Sequence, residues 1–175
     1  MSLRAAPELV EDEGLPVRPS LDLFQALAAG VTVVTSRDGE GPVGATASSV
    51  TSLSVRPALL LACLAAETRT LRAIRGHRAF AVHLLRAGQQ DRSHRFSRPG
   101  TAQEQRFAGE RWVDVLGVPV FPDALAYAVC LLEDERRYGD HSIVVGRLAA
   151  ARRTPGRPLL WHDRAYWEIA ESCAG

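Results

Sequence analysis

The sequence predicts a mainly β domain, an antiparallel barrel with peripheral helices. Three observations carry that prediction. Segments rich in β-branched and other strand-forming residues outnumber segments with helical periodicity. The helical segments fall between some strands only, which is not the regular βαβ alternation of a doubly wound parallel sheet. Turn signals at Arg37-Asp38-Gly39, Tyr138-Gly139-Asp140-His141 and Asp163-Arg164 fold strands back on one another, as in an antiparallel barrel.

The elements follow in order. Residues 1–19 carry Glu8, Glu11, Asp12 and Glu13 among Pro7, Pro16 and Pro19, and read as a flexible N-terminal arm without a signal peptide. One domain is expected over residues 20–172. Ser20 can cap a helix that runs through Ala29 and stops at Gly30. Val31 to Thr35 is β-branched throughout and predicts a strand. A second strand is expected from Gly44 to Val50. The third, from Ala58 to Leu64, is apolar on both faces and reads as central. Thr68 or Thr70 can cap a short helix with Leu71 and Ile74 inward, closed by Gly76. Ala79 to Leu85 is another buried strand. Residues 89–96 form a short amphipathic helix, and Thr101-Ala102-Gln103-Glu104 spells a capping box. Pro119 and Pro122 break the chain after Trp112. Strands are then expected over residues 124–133 and 142–148, with a last hairpin over residues 159–169.

Composition narrows the chemistry. The chain has 175 residues, 46% of them hydrophobic and 23% charged, an ordinary globular balance. Its 21 basic residues nearly cancel 20 acidic ones, which argues against general nucleic-acid binding. Every basic residue is Arg. The absence of Lys removes Schiff-base and P-loop lysine chemistry and leaves any anion to Arg, hydroxyls and backbone N–H groups. Cys63, Cys130 and Cys173 are few and far apart, as in a reducing cytoplasm. They form no Cys-x-x-Cys pair, and the five histidines show no ligand spacing, so no metal site is expected. The longest apolar run, from Ala58 to Ala66, is far short of the ~20 residues a membrane helix needs.

Gly39-Glu40-Gly41-Pro42-Val43-Gly44 matches the dinucleotide fingerprint in letters. Such a motif needs a helix behind it, so that N-terminal amides face the pyrophosphate. Here Thr46-Ala47-Ser48-Ser49-Val50-Thr51-Ser52 follows, which favours strand and turn, so the stretch is a hairpin.

The hydroxyl-rich stretch is more informative. Thr46, Ser48, Ser49, Thr51, Ser52 and Ser54 line a strand with small side chains, open to a polar or anionic ligand or simply to solvent. Thr68-Arg69-Thr70 opens a helix with a second set of donors. One buried strand separates the two clusters and can bring them to one side.

From Phe24 to Ile169 the chain resembles the flavin reductase domain of the FMN-binding split-barrel superfamily. The residues that carry the likeness are Gly30-Val31-Thr32-Val33-Val34-Thr35, Gly44 through Ser54 with Pro57, Cys63-Leu64, Thr68-Arg69-Thr70-Leu71, Phe80-Ala81-Val82, Arg106-Phe107, Gly117-Val118-Pro119, and Gly139-Asp140-His141 ahead of Val145-Gly146-Arg147. The resemblance implies an antiparallel split β-barrel and hydride transfer from NADH or NADPH to FMN or FAD. It also implies a homodimer that supplies reduced flavin to a separate monooxygenase. By similarity, flavin lies across Thr46, Ala47, Ser48 and Ser49, against Cys63, Leu64 and Ala65. Its phosphate meets Ser52, Thr68, Arg69 and Thr70. Gly139 and Asp140 turn the chain so that His141 stands beside the flavin and nicotinamide as the catalytic residue, and Tyr166 adds an aromatic contact. Ser48 replaces the family's usual Asn, His83 another Asn, and Gln105 the usual acid. Two other readings are a flavin-binding protein without reductase activity, and an enzyme that keeps FMN as a prosthetic group to reduce another substrate.

Overall fold

The structure, a computed structural model, describes residues 17–169. The segment 1–16, most of the expected arm, lies outside the described residues, as do residues 170–172 and Cys173. The chain runs α1 (Val17–Gln25), β1 (Ala29–Gly30), β2 (Thr32–Asp38), β3 (Gly41–Ala47), β4 (Val50–Val55), β5 (Ala58–Ala65), α2 (Arg69–His77) and β6 (Ala79–Leu84). It continues with α3 (Gln90–Ser97), α4 (Gln103–Phe107), β7 (Val113–Val115), β8 (Val118–Val120), β9 (Ala126–Tyr138), β10 (His141–Arg153), β11 (Leu159–His162) and β12 (Ala165–Glu168). α1 starts before Ser20 and ends before Ala29, because Ala29 and Gly30 pair with Trp161 and Leu160 as a short strand.

Seven strands form one antiparallel sheet in the order β3-β2-β6-β9-β10-β5-β4. Its two margins, β3 and β4, are consecutive in the chain and joined by Ser48 and Ser49 alone. The sheet must therefore curl until its margins adjoin. The Cys63 N–H donates to the Ser49 carbonyl at 2.8 Å, which carries the β4–β5 ladder up to the two-residue link, where β3 comes against β5 at the seam. The mainly β antiparallel split barrel is the architecture expected from the sequence.

The core explains the curl. Val34, Leu64, Ile74, Phe80, Cys130 and Val144 meet inside the cylinder. A second cluster, with Phe96, Phe107, Phe121 and Leu159, packs α3 and α4 against the outside of β2. Gly146 has no room for a side chain: an added Cβ would stand 2.7 Å from the Cys130 Cβ and collide with the Phe80 ring.

Several local expectations are corrected. The strand expected from Gly44 to Val50 is two strands, because the backbone breaks at Ser48-Ser49. β5 is one strand in from the margin and only half-buried over Leu59, Leu60 and Leu61; the long β9–β10 hairpin takes the central place. α2 ends not at Gly76 but at Arg78, whose left-handed backbone (φ 63°) lets its N–H donate to the Ile74 carbonyl. The Thr101 capping box does not form: α4 is headed by Ala102 with no side-chain cap. The Gln103 side chain instead accepts from the Gly44 N–H at 2.9 Å, and Arg106 takes the Thr101 carbonyl. Pro119 does not break the chain, since it sits within the β7–β8 hairpin.

Candidate active site

At the seam the strand ends leave a cleft of about 470 Å³. Thr46, Ala47, Ser48 and Ser49 form one side, and Cys63, Leu64 and Ala65 form the other. These are two adjoining parts of one curled sheet, so a flat ligand can lie along both. The side chains from Thr46 to Ser49 are short, which keeps the backbone accessible. Thr46 Oγ1 donates to the Ser93 carbonyl at 2.7 Å and ties β3 to α3.

His141 begins β10 opposite Ala65 and reaches the same cleft. Gly139 supplies the left-handed backbone of the tight β9–β10 turn (φ 59°). The Asp140 carbonyl accepts from the Ala66 N–H at 2.9 Å, which docks the turn on the end of β5. The Asp140 carboxylate lies 2.8 Å from His141 Nδ1, which fixes the ring through that nitrogen. His141 beside it holds the Asp140 carboxyl below its ordinary value.

Thr68 caps α2: its Oγ1 accepts from the Leu71 N–H at 3.3 Å and donates to the Ala65 carbonyl at 2.9 Å. The first helical turn, whose leading amides have no partner within the helix, borders a recess of about 280 Å³ lined by Thr68, Arg69 and Thr70 that adjoins the cleft at Ala45, Thr68 and Arg106. Arg69 does not bring an unpaired charge there. Its guanidinium holds Asp38 through two nitrogens, at 2.7 and 3.0 Å, and Glu40 at 2.8 Å. The bond to Arg69 pulls the Asp38 carboxyl down to about 2.

Arg106 is the cation left over. It lines both the cleft and the recess. Its guanidinium donates to the carbonyls of Gly44 (3.2 Å), Arg98 (2.8 Å), Thr101 (3.3 Å) and Phe96. No carboxylate pairs with it among the described residues. Partial burial without a counter-ion lowers its pKa. Carbonyl dipoles orient this charge without neutralising it, which makes the recess attractive to an anion.

Residues 24–170 match the family profile described as "Flavin reductase like domain". The chain belongs to that family. It is 36% identical to "Flavin reductase (NADH)" of Kitasatospora aureofaciens, over 98% of this chain and 90% of that protein. A longer Rhizobium meliloti (strain 1021) relative, named "Probable flavin reductase", is 43% identical over 74% of this chain, which spans only 41% of its length. Among solved structures, the Streptomyces globisporus C-1027 NADH:FAD oxidoreductase SgcE6, in complex with NAD and FAD fragments, superposes with a TM-score of 0.83. That likeness has 29% identity and covers 96% of this chain and all of the other.

Set against the residues the flavin reductase resemblance implied, the structure brings most together. Thr46, Ala47, Ser48, Ser49, Cys63, Leu64, Ala65, Thr68 and His141 share the cleft, with Arg69 and Thr70 in the adjoining recess. Two stand apart. Ser52 is exposed on β4 opposite Leu60, because the break at Ser48-Ser49 turns β4 away from the cleft. Tyr166 lines a neighbouring slot and donates to Ser93 Oγ at 2.9 Å. Sequence reasoning assigned no role to Phe96, Ser97, Pro99 or Arg106, all in the cleft wall. The only signal for them was the Arg106-Phe107 pair within the resemblance. His83, on β6 opposite Val33 of β2, is fully buried with Nδ1 2.9 Å from the Val33 carbonyl, and lines no part of the cleft. Among the described residues no cluster of His, Cys, Asp and Glu is placed to hold a metal, and no helix is long and apolar enough to cross a membrane.

Proposed function

We propose that this chain is an NAD(P)H-dependent flavin reductase that passes a hydride from NADH or NADPH to FMN or FAD. The observation that carries this reading is the single cleft shared by Thr46 to Ser49, Cys63 to Ala65, Thr68 and His141. The residues present fit a flavin. Short side chains leave a flat floor, and hydroxyls, helix amides and Arg106 surround the place for a phosphate.

The isoalloxazine ring, when bound, supplies the hydride-accepting chemistry. The protein's work is placement. Thr46 to Ser49 and Leu64 hold a planar ring in the seam. Thr68, Thr70 and the α2 amides take the phosphate, with Arg106 as the balancing charge and Arg69 fixing the β2–β3 turn instead. His141, oriented by Asp140, stands at the cleft and positions the donor ring. Orientation of this kind is worth up to roughly 7–11 kcal/mol in well-placed systems.

The named relatives support the wider setting. One is the "4-nitrophenol 4-monooxygenase/4-nitrocatechol 2-monooxygenase, reductase component" of Rhodococcus opacus. On this reading the chain hands reduced flavin to a separate monooxygenase in the cytoplasm and works as a homodimer. Oxidation of NADH and of NADPH, followed with and without added FMN or FAD, tests the proposal. Oxidation that requires added flavin and saturates in it is expected. Flavin binding with no oxidation of either donor overturns it.

A further inference from the structure

We propose that Thr46 makes the cleft discriminate between the two redox states of a flavin, favouring the reduced ring over the oxidised one. This rests on the flavin reading of the cleft and deepens it. The hydrogen-bonding state of one hydroxyl carries it.

A hydroxyl has one proton to give and lone pairs to offer. Thr46 Oγ1 stands 2.7 Å from the Ser93 carbonyl oxygen, which can only accept. The Thr46 proton is therefore committed to α3, and only lone pairs are left for the cleft. The bond is held from both sides. Thr46 is half-buried in β3, opposite Val33 of β2. Ser93 is buried, its N–H donates to the Gln89 carbonyl at 3.2 Å, and its own hydroxyl accepts from Tyr166 at 2.9 Å. The other hydroxyls of the cleft differ. Ser97 donates to the His94 carbonyl at 3.0 Å, but it is exposed and can exchange that bond for water. Ser48 and Ser49 are exposed and can turn to donate or to accept. Thr68 gives its proton to the Ala65 carbonyl and a lone pair to the Leu71 N–H, beside the recess.

Position decides which part of a ligand Thr46 meets. The cleft adjoins the recess at Ala45, Thr68 and Arg106, and the slot at Thr46, Ser48 and Ser97. Thr46 thus borders the slot and not the recess. With a phosphate at the recess, the ring is what remains for Thr46.

The two redox states offer that hydroxyl different partners. The reacting edge of an oxidised ring carries a bare nitrogen, N5, with a lone pair. Hydride from NADH or NADPH, which leaves as NAD+ or NADP+, brings two electrons and one hydrogen, and N5 becomes an N–H. Against the bare nitrogen, Thr46 sets lone pair against lone pair. Against the N–H it completes a hydrogen bond. A polar group facing an unmatched partner in a confined site is penalised, and one facing its match is not. Thr46 therefore adds nothing to the capture of oxidised flavin and holds the reduced ring until it is released.

The test is the dissociation constant of FMN in both states, oxidised in air and dithionite-reduced without oxygen, by calorimetric titration. The proteins are the wild type, Thr46→Val, which keeps the shape and loses the hydroxyl, and Thr46→Ser, which keeps the hydroxyl. Thr46→Val should weaken reduced FMN by about tenfold relative to oxidised FMN. For a two-electron couple that lowers the potential of the bound flavin by about 30 mV. Thr46→Ser should keep the wild-type ratio within about twofold. A tie to α3 that served structure alone would move both states together. An unchanged ratio in Thr46→Val therefore overturns the proposal, and so does an equal shift in Thr46→Ser. Thr46→Ala carries the same expectation as the valine and guards against its misfolding, which circular dichroism reveals. Failure of the flavin reading itself shows separately, as a wild type that binds FMN in neither state.

Discussion

Arg69 and Asp38 form a two-nitrogen ion pair that clamps the N-terminus of α2 to the end of β2. The sequence offers Arg69 as the cation for a flavin phosphate; the pair commits it to the β2–β3 turn. Arg69→Ala should therefore change FMN affinity by less than about threefold and cost roughly 1 kcal/mol of stability, since the pair is partly exposed. The Asp38 carboxyl sits at about 2, below its ordinary 3.8. Its contribution is thus present above pH 3.8 and lost as pH falls toward 2. Calorimetric FMN titration and urea unfolding check both halves. A tenfold loss of FMN affinity would sink the assignment.

Arg106 carries the opposite expectation. Arg106→Leu removes four carbonyl bonds as well as the charge beside the α2 recess. FMN affinity should fall by about tenfold or more, and stability by about 2 kcal/mol. Arg106→Lys keeps the charge and should recover part of the affinity without restoring the forked geometry. If the lysine variant binds FMN no better than the leucine variant, the charge is not what the flavin meets.

His141 and Asp140 separate binding from turnover. His141→Ala should lower kcat/KM for the nicotinamide donor by about tenfold while the flavin Kd stays within about twofold. Asp140→Asn should give a milder loss of the same kind, because it leaves the ring in place but weakens its orientation. Unchanged steady-state kinetics in His141→Ala would remove it from the mechanism.

His83 sets an acid limit on the fold. Burial holds its imidazole near 4, with Nε2 unpartnered in the core. In the unfolded chain the ring takes up a proton below about 6.5. Between those values the unfolded state binds more protons, so stability falls as pH drops from 6.5 toward 4, by about 3 kcal/mol over the whole window. His83→Asn, which can still donate to the Val33 carbonyl, should flatten that part of the profile. Denaturant midpoints at a series of pH values decide it, and parallel profiles for the two proteins would show that the loss lies elsewhere.

Gly146 tests the inside of the barrel. Gly146→Ala drives a methyl against Phe80 and the Cys130 Cβ, on a bulged part of β10 where neither neighbour can retreat. Destabilisation of about 3 kcal/mol is expected. A thermal midpoint within a degree of wild type would mean that the strand shifts freely.

The strands were legible because β-branched runs and turn residues mark them locally, and the cap of α2 was legible to within two threonines, of which the structure uses Thr68 and not Thr70. The site was legible where a family pattern survives in short segments, from Thr46 to Ser49 and around Cys63 and Thr68. What escaped depends on contacts far apart in sequence. Nothing near Arg69 shows that Asp38 and Glu40 fold against it. Nothing near Arg106 shows that the carbonyls of Gly44 and Phe96 converge on its guanidinium. Thr101-Ala102-Gln103-Glu104 reads locally as a capping box, but Gln103 serves Gly44, so a tertiary bond overrides the local one.

The link between β3 and β4 is two residues long, and both residues belong to the proposed binding surface. The aperture of the seam and the chemistry along its rim are therefore not separate variables. A change of side chain at position 48 alters its reach and the bend of the joint together. Ligand preference in this architecture can thus be retuned from a single short hinge while the rest of the cylinder keeps its register.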